Sequence, residues 1–253
     1  FLHTYVDEDC FGADGVFHDR YFPGLREWLE KKGYSVTTVP VIFNIKRSYS
    51  SAWKWFRKSE KKFINPYRYY RISDYLFAIK ESWRQLRIPD ISIMLDCMDV
   101  TNLFKEEQKY RAFGDIGTLL YYRLPKRLSG AGFRIDIVIA EYENMINGKL
   151  LILGFRNYLP SVKIVGFQHG ALYPFLLCNF VTQGEAEFAP LPDRVVCNGE
   201  FFREILVREG LPENLAVAGP ALRYAYLWDS GIGNALWKEK IIDIFVPLPM
   251  MVS

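Results

Sequence analysis

Between Lys163 and Pro220 the chain runs three times from a β-type apolar stretch into a small polar cluster that contains glycine. The three are Lys163-Ile-Val-Gly-Phe-Gln-His-Gly170, Pro192-Asp-Arg-Val-Val-Cys-Asn-Gly-Glu200 and Leu215-Ala-Val-Ala-Gly-Pro220. Short apolar strands of this kind, separated by helical segments, are what a parallel sheet with covered faces requires. Such sheets take their ligands in the crevice outside the carboxyl ends of the strands. Three edges within roughly sixty residues therefore point to one ligand cleft.

The flanking sequence extends the alternation. Phe1 to Val6 reads as a strand and Asp7 to Gly15 as a polar loop. A helix follows from about Pro23, with Leu25, Trp28 and Leu29 on one face and Gly33 as its stop. Ser35 to Phe43 is β-branched and closes a first β-α-β unit with a right-handed crossover. Residues 88–100 lean weakly toward strand, and a helix is read from about Asn102 to Lys126, before the Ser129-Gly-Ala-Gly132 turn. Strands at Ile135–Ala140, Lys163–Phe167, Arg194–Cys197 and Leu215–Ala218, with helices at Lys149–Tyr158 and Glu200–Glu209, complete the pattern. The fold class is α/β with a Rossmann-like, mainly parallel sheet. It is expected to occupy residues 1–225, with a helical insert at about 44–90. Residues 226–253 read as a linker and the start of a second domain, because Ile244-Phe-Val begins another strand. The opening at Phe1, inside an apolar run without a basic leader, reads as an excised piece.

Charge is unevenly spread. The net charge is +3, yet between Lys46 and Arg87 twelve Lys or Arg meet three acids, among eleven aromatics, and the remainder is net acidic. Basic charge interleaved with Trp and Tyr suits an anionic membrane surface, and residues 46–87 are the candidate contact. The same composition first of all fits the solvated faces of amphipathic helices, and nucleic acid is the weakest reading and is not expected as a partner. The stretch reads as two helices broken near Asn65-Pro66, with Leu76, Ile79, Trp83 and Leu86 at helical spacing behind the cap residue Ser73 and expected to pack inward. No apolar run approaches the about 20 residues of a membrane span. Cys10, Cys97, Cys178 and Cys197 lack Cys-x-x-Cys spacing, so reduced thiols, a cytoplasmic setting and no metal site are expected. The glycine-rich dinucleotide fingerprint, the P-loop, His-Glu-x-x-His and Gly-x-Ser-x-Gly are all missing from the sequence, which argues against the corresponding enzyme classes.

Candidate chemistry gathers at the strand ends. Glu141-Tyr-Glu-Asn144 leaves the Ile135–Ala140 strand with two carboxylates on the same side if the chain stays extended, and either can act as base or nucleophile. Gln168-His169-Gly170 supplies a side chain able to hold an anion or shuttle a proton beside a backbone that a ligand can approach. Asn198 and Glu200 open a helix whose free N–H groups suit an anion. Gly219 and Arg223 close the third edge, the arginine being a partner for phosphate or carboxylate.

The series Glu141-Tyr-Glu-Asn144, Gly166-Phe-Gln-His-Gly170, Pro192-Asp-Arg-Val-Val-Cys-Asn-Gly199 and Val217-Ala-Gly-Pro220 resembles bacterial surface-carbohydrate biosynthesis proteins related to the GT-B Kdo transferases. The likeness covers roughly Ile135 to Arg223, and the amino-terminal half only in layout. It implies a GT-B amino-terminal domain that transfers Kdo, or another 3-deoxy-ulosonic sugar, from a CMP-activated donor to a glycan or lipid-linked glycan acceptor. The nucleotide sugar is then a substrate, and no cofactor or metal is implied. The family's Glu-Asn pair falls on Glu143-Asn144, with Glu141 and His169 as further catalytic candidates. Asn144, Gln168, Gly170, Asn198, Glu200, Gly219 and Arg223 become the substrate-binding candidates. The resemblance also implies a donor-binding second domain from near Phe245, while the cysteines and the basic segment point to a cytoplasmic protein that can be peripheral on the inner membrane face. An enzyme using another nucleotide-activated donor, such as a polyol-phosphate transferase or a nucleotide-sugar epimerase, would share the sheet layout. So would a non-catalytic glycan-binding assembly module.

Overall fold

The computed structural model describes residues 1–12, 16–43, 49–59, 62–87, 92–95, 97–111, 116–173 and 176–226. Six strands form one sheet: β1 (Leu2–Val6), β2 (Thr38–Ile42), β5 (Ile137–Glu141), β6 (Lys163–Phe167), β7 (Arg194–Asn198) and β8 (Ala216–Gly219). A separate antiparallel pair is made by β3 (Met94–Leu95) and β4 (Met98–Asp99). The helices among the described residues are α1 (Leu25–Lys31), α2 (Tyr49–Lys58), α3 (Ile72–Gln85), α4 (Thr101–Arg111), α5 (Ile116–Gly130), α6 (Ile146–Tyr158), α7 (Gln183–Phe188) and α8 (Glu200–Arg208).

Every pairing in the large sheet is parallel, in the order β2-β1-β5-β6-β7-β8. The protein is thus an α/β chain with a Rossmann-like sheet. Alternate strand residues serve opposite faces. Val138, Ala140 and Ile164 join Leu124, Leu128, Leu151 and Phe155 from α5 and α6, while Ile139 and Phe167 join Leu25 and Leu29 of α1 on the other side. Because the chain steps from β1 outward to β2 and then returns past β1 to β5, the winding reverses between β1 and β5. In open α/β sheets that reversal point is where ligands bind. Helices α5 and α6 approach so closely that a Cβ on Gly154 would stand 2.5 Å from the Tyr122 carbonyl oxygen, which leaves room for glycine alone. Gly33, at φ 88°, ends α1 in the left-handed conformation that its position after the helix predicts.

Three expectations need correction. The helix read over 102–126 is two, α4 and α5, with residues 112–115 outside the described set. The 88–100 stretch supplies no strand to the main sheet; its described part forms the exposed β3–β4 pair. On α3 the faces are inverted: Leu76, Ile79 and Trp83 are exposed, while Asp74, Ala78 and Ser82 are fully buried against the protein. The cause is electrostatic. Asp74 accepts from Arg123 Nε at 2.9 Å and from Arg127 Nε and Nη2 at 2.6 and 2.7 Å, both arginines projecting from α5. A carboxylate so bound fixes which side of α3 meets α5. The expected second domain falls in residues 227–253, outside the described set.

Candidate functional site

The first strand and the fifth separate just where the switch point opens. Their ladder pairs Leu2 with Ile139 and His3 with Ala140, and then Glu141 takes over, its carboxylate accepting the Tyr5 N–H. The other Glu141 oxygen lies 3.3 Å from His3 Nδ1, and the side chain is only 4% exposed. Glu141 is therefore used up in fastening β1 to β5. It is not part of the main cleft lining; it shares with Glu143 and Asn144 only a small cavity beside Tyr5, and the chain turns after β5, where Asn144 adopts a left-handed φ of 53°. Asn144 in turn faces Glu185 Oε1 at 3.4 Å, next to the Lys149–Glu185 ion pair, and is not part of the cleft lining.

Glu143 turns the other way. It lines a cleft of about 800 Å³ together with Asp19, Gln168, His169, Gly170 and Arg223. Its Oε2 accepts from the Tyr5 hydroxyl at 2.8 Å, and its Oε1 stands 3.1 Å from His169 Nε2, off the line of a well-formed hydrogen bond. The approach of His169 is the main cause that holds the Glu143 carboxyl below its ordinary range; burial opposes it, and Tyr5 and the charge of Arg223 assist. Glu143 is thus ionised at neutral pH and, with its side chain 33% exposed, open to the cleft. His169 is enclosed between Tyr5 and Tyr21, whose ring centroids lie 5.7 and 5.1 Å away, and both imidazole nitrogens are covered. It lines the cleft, and its nearest polar neighbour there is Glu143 Oε1.

The remaining candidates divide. Gln168 donates to the Gly170 carbonyl at 2.8 Å and accepts from the Asn198 N–H at 3.0 Å, while Asn198 Nδ2 donates to the same carbonyl at 3.2 Å. These two amides hold the β6 and β7 exits together and present the loop, so their role is to shape the cleft wall. A Cβ on Gly170 would meet open space, whereas one on Gly219 would stand 2.3 Å from Val196 Cγ1. Gly219 is a packing glycine. Glu200 lies outside the cleft and pairs with Arg203 at 2.5 Å on the surface of α8. Arg223 does reach the rim, its guanidinium 4.9 Å from the centre of the Tyr21 ring. Glu143, His169 and Arg223 thus line the main cleft together; Glu141 and Asn144 meet Glu143 only in the small cavity beside Tyr5, and Glu200 and Gly219 line neither.

Sequence reasoning missed Asp19. This residue follows β1 in the first strand-to-helix loop, the position signal that could have singled it out. Its Oδ1 accepts from Thr4 Oγ1 at 3.2 Å and from the N–H groups of Tyr21 and Phe22, each at 2.9 Å. Oδ2 is covered and has no hydrogen-bond partner among the described residues. Burial pushes the carboxyl up to about 6, against the pull of those donors. For a carboxyl whose folded value is raised, the favourable contribution is complete below its ordinary value of about 3.9 and is lost as pH rises through about 6. Asp19→Asn should therefore raise thermal stability at neutral pH, by about 1–2 kcal/mol after discounting for partial exposure. Near pH ~4 the gain should vanish, and melting curves at the two pH values check it.

All four cysteines are free thiols. Among the described residues no group of three His, Cys, Asp or Glu side chains is arranged to hold a metal ion, and no helix is long and apolar enough to cross a membrane. Comparisons of the chain with protein-family models, with curated proteins and with solved structures found no match.

Proposed function

We propose that the protein is a glycosyltransferase of bacterial surface polysaccharide assembly. It moves Kdo or another 3-deoxy-ulosonic sugar from a CMP-activated donor to a glycan or lipid-linked glycan acceptor, at the cytoplasmic face of the inner membrane. The reading rests on one observation above all: two carboxylates with opposite tuning, Glu143 held low and Asp19 pushed up to about 6, line one cleft at the switch point of the sheet. Environments that drive two titratable groups apart assign them different roles in one reaction.

In the transfer, the bond from the anomeric carbon to the CMP phosphate oxygen breaks and CMP leaves with the electron pair. An acceptor hydroxyl oxygen forms the new bond, and its proton passes to a base. Asp19, pushed up to about 6, suits that base through a bridging water, since its own Oδ2 is covered. Ionised Glu143 suits the positive charge that develops on the sugar, and Arg223 suits the donor's carboxylate or phosphate. The resemblance assigns the donor nucleotide mainly to a second domain beginning near Phe245. Incubation of the full-length protein with CMP-Kdo should release CMP only when a glycan acceptor is present. Release from a UDP-sugar or a CDP-polyol instead, or none from any donor, would overturn the assignment.

A further inference from the structure

The outward face of α3 is the most unusual surface among the described residues. Ile72, Leu76, Ile79 and Trp83 repeat at intervals of four, three and four residues, and Leu86 follows just past the helix end. They are 81%, 61%, 41%, 64% and 39% exposed. An amphipathic helix on a globular protein normally turns such a stripe inward. Here Asp74, Ala78 and Ser82 take the inward side, and the Asp74 cluster with Arg123 and Arg127 holds the helix in that orientation. The apolar stripe is thus presented to the outside by contacts that do not depend on it.

Charge around the stripe selects what it meets. Arg71, Lys80 and Arg87 are exposed around it, whereas the acids of α3 are both engaged: Asp74 is buried, and Glu81 pairs with Arg84 at 3.2 Å. A second copy of the same face would set these cations against one another, because among the described residues α3 offers no free acid to receive them. An anionic lipid surface answers both features, taking the Trp83 ring and aliphatic side chains at the headgroup boundary and the long basic side chains at the phosphates. We infer that α3 is an interfacial helix that docks the protein on anionic membranes through the Ile72–Leu86 stripe, with its basic flank in register with the headgroups. This deepens the membrane placement in the proposed function and leaves the sugar-transfer chemistry untouched.

The test is cosedimentation of the full-length protein with phosphatidylcholine vesicles prepared with and without phosphatidylglycerol. Binding should require the anionic lipid and weaken with added salt. The double variant Leu76→Ser, Ile79→Ser should lower binding by about tenfold or more, since each side chain loses its burial in the interface. Lys80→Glu with Arg87→Glu should lower it by a similar factor. All four positions are exposed, so both variants should melt as the wild type does, and both should turn over a soluble acceptor normally. Absence of vesicle binding by the wild type overturns the inference, as does undiminished binding by the serine variant. A wild-type dimer that the serine variant converts to monomer in sedimentation also overturns it, in favour of a second copy as the occupant. None of these outcomes bears on CMP release, so the docking and the chemistry fail or stand separately.

Discussion

Glu143→Gln should reduce turnover by about 10²-fold or more while leaving the fold and ligand affinity nearly unchanged. The substitution is close to isosteric, and its amide oxygen can still accept from the Tyr5 hydroxyl that Glu143 Oε2 engages at 2.8 Å. What disappears is the negative charge facing the cleft. If Glu143 stabilises positive charge on the sugar or attacks it directly, that charge acts in the transition state, so kcat falls and KM does not. His169→Ala should act through the same carboxylate, because its nitrogens are covered and the nearest polar group to them is Glu143 Oε1 at 3.1 Å. The two effects should then be strongly non-additive: in the Glu143→Gln background, the loss of His169 should cost little further turnover. Single-turnover and steady-state kinetics on the two single variants and the double variant measure this. Near-normal turnover by Glu143→Gln would move the chemistry elsewhere, and full additivity would give His169 a contact of its own.

Asp74→Ala should destabilise the protein by about 3–5 kcal/mol, the typical cost of removing one partner from a buried ion cluster. Its carboxylate is fully buried, and the two arginine side chains it binds are only 12% and 11% exposed. Deleting the acid would leave Arg123 and Arg127 adjacent, enclosed and without their common anion. Burial alone would raise the Asp74 carboxyl, but the donors from Arg127, the Arg71 backbone and Arg123 prevail and hold it at about 2. With the folded value lowered, the stabilisation is complete above the ordinary Asp value of about 3.9 and is lost as pH falls toward about 2. Urea unfolding of the wild type should therefore weaken through that window, and the Asp74→Ala protein should respond less steeply there. An unchanged midpoint in Asp74→Ala at neutral pH would remove the cluster as the device that orients α3.

The sequence by itself determined the parallel sheet and the edge at which its chemistry gathers. Strands β5 to β8 and the helices between them are written in local apolar runs and in the Gly, Asn and Pro residues that end them, so reading a dozen neighbours at a time suffices. The place of Glu143 and His169 at neighbouring strand ends follows from that alone, since parallel strands carry their carboxyl ends to one side. Local pattern could not say which carboxylate enters the cleft. Glu141 is withdrawn by the Tyr5 N–H and His3, residues more than a hundred positions away, and Asn144 by a left-handed turn and Glu185. Nor could it bring Asp19 into the site, because only the closing of β1 against β5 sets the first loop beside the last strands. The α3 helix is the sharpest case. Its periodicity gave a correct helix with an apolar stripe, yet the stripe faces outward, because Asp74 meets partners 49 and 53 residues further along the chain. Periodicity fixes that a helix has two faces; which face turns inward is decided by the charged groups waiting on the helix it packs against.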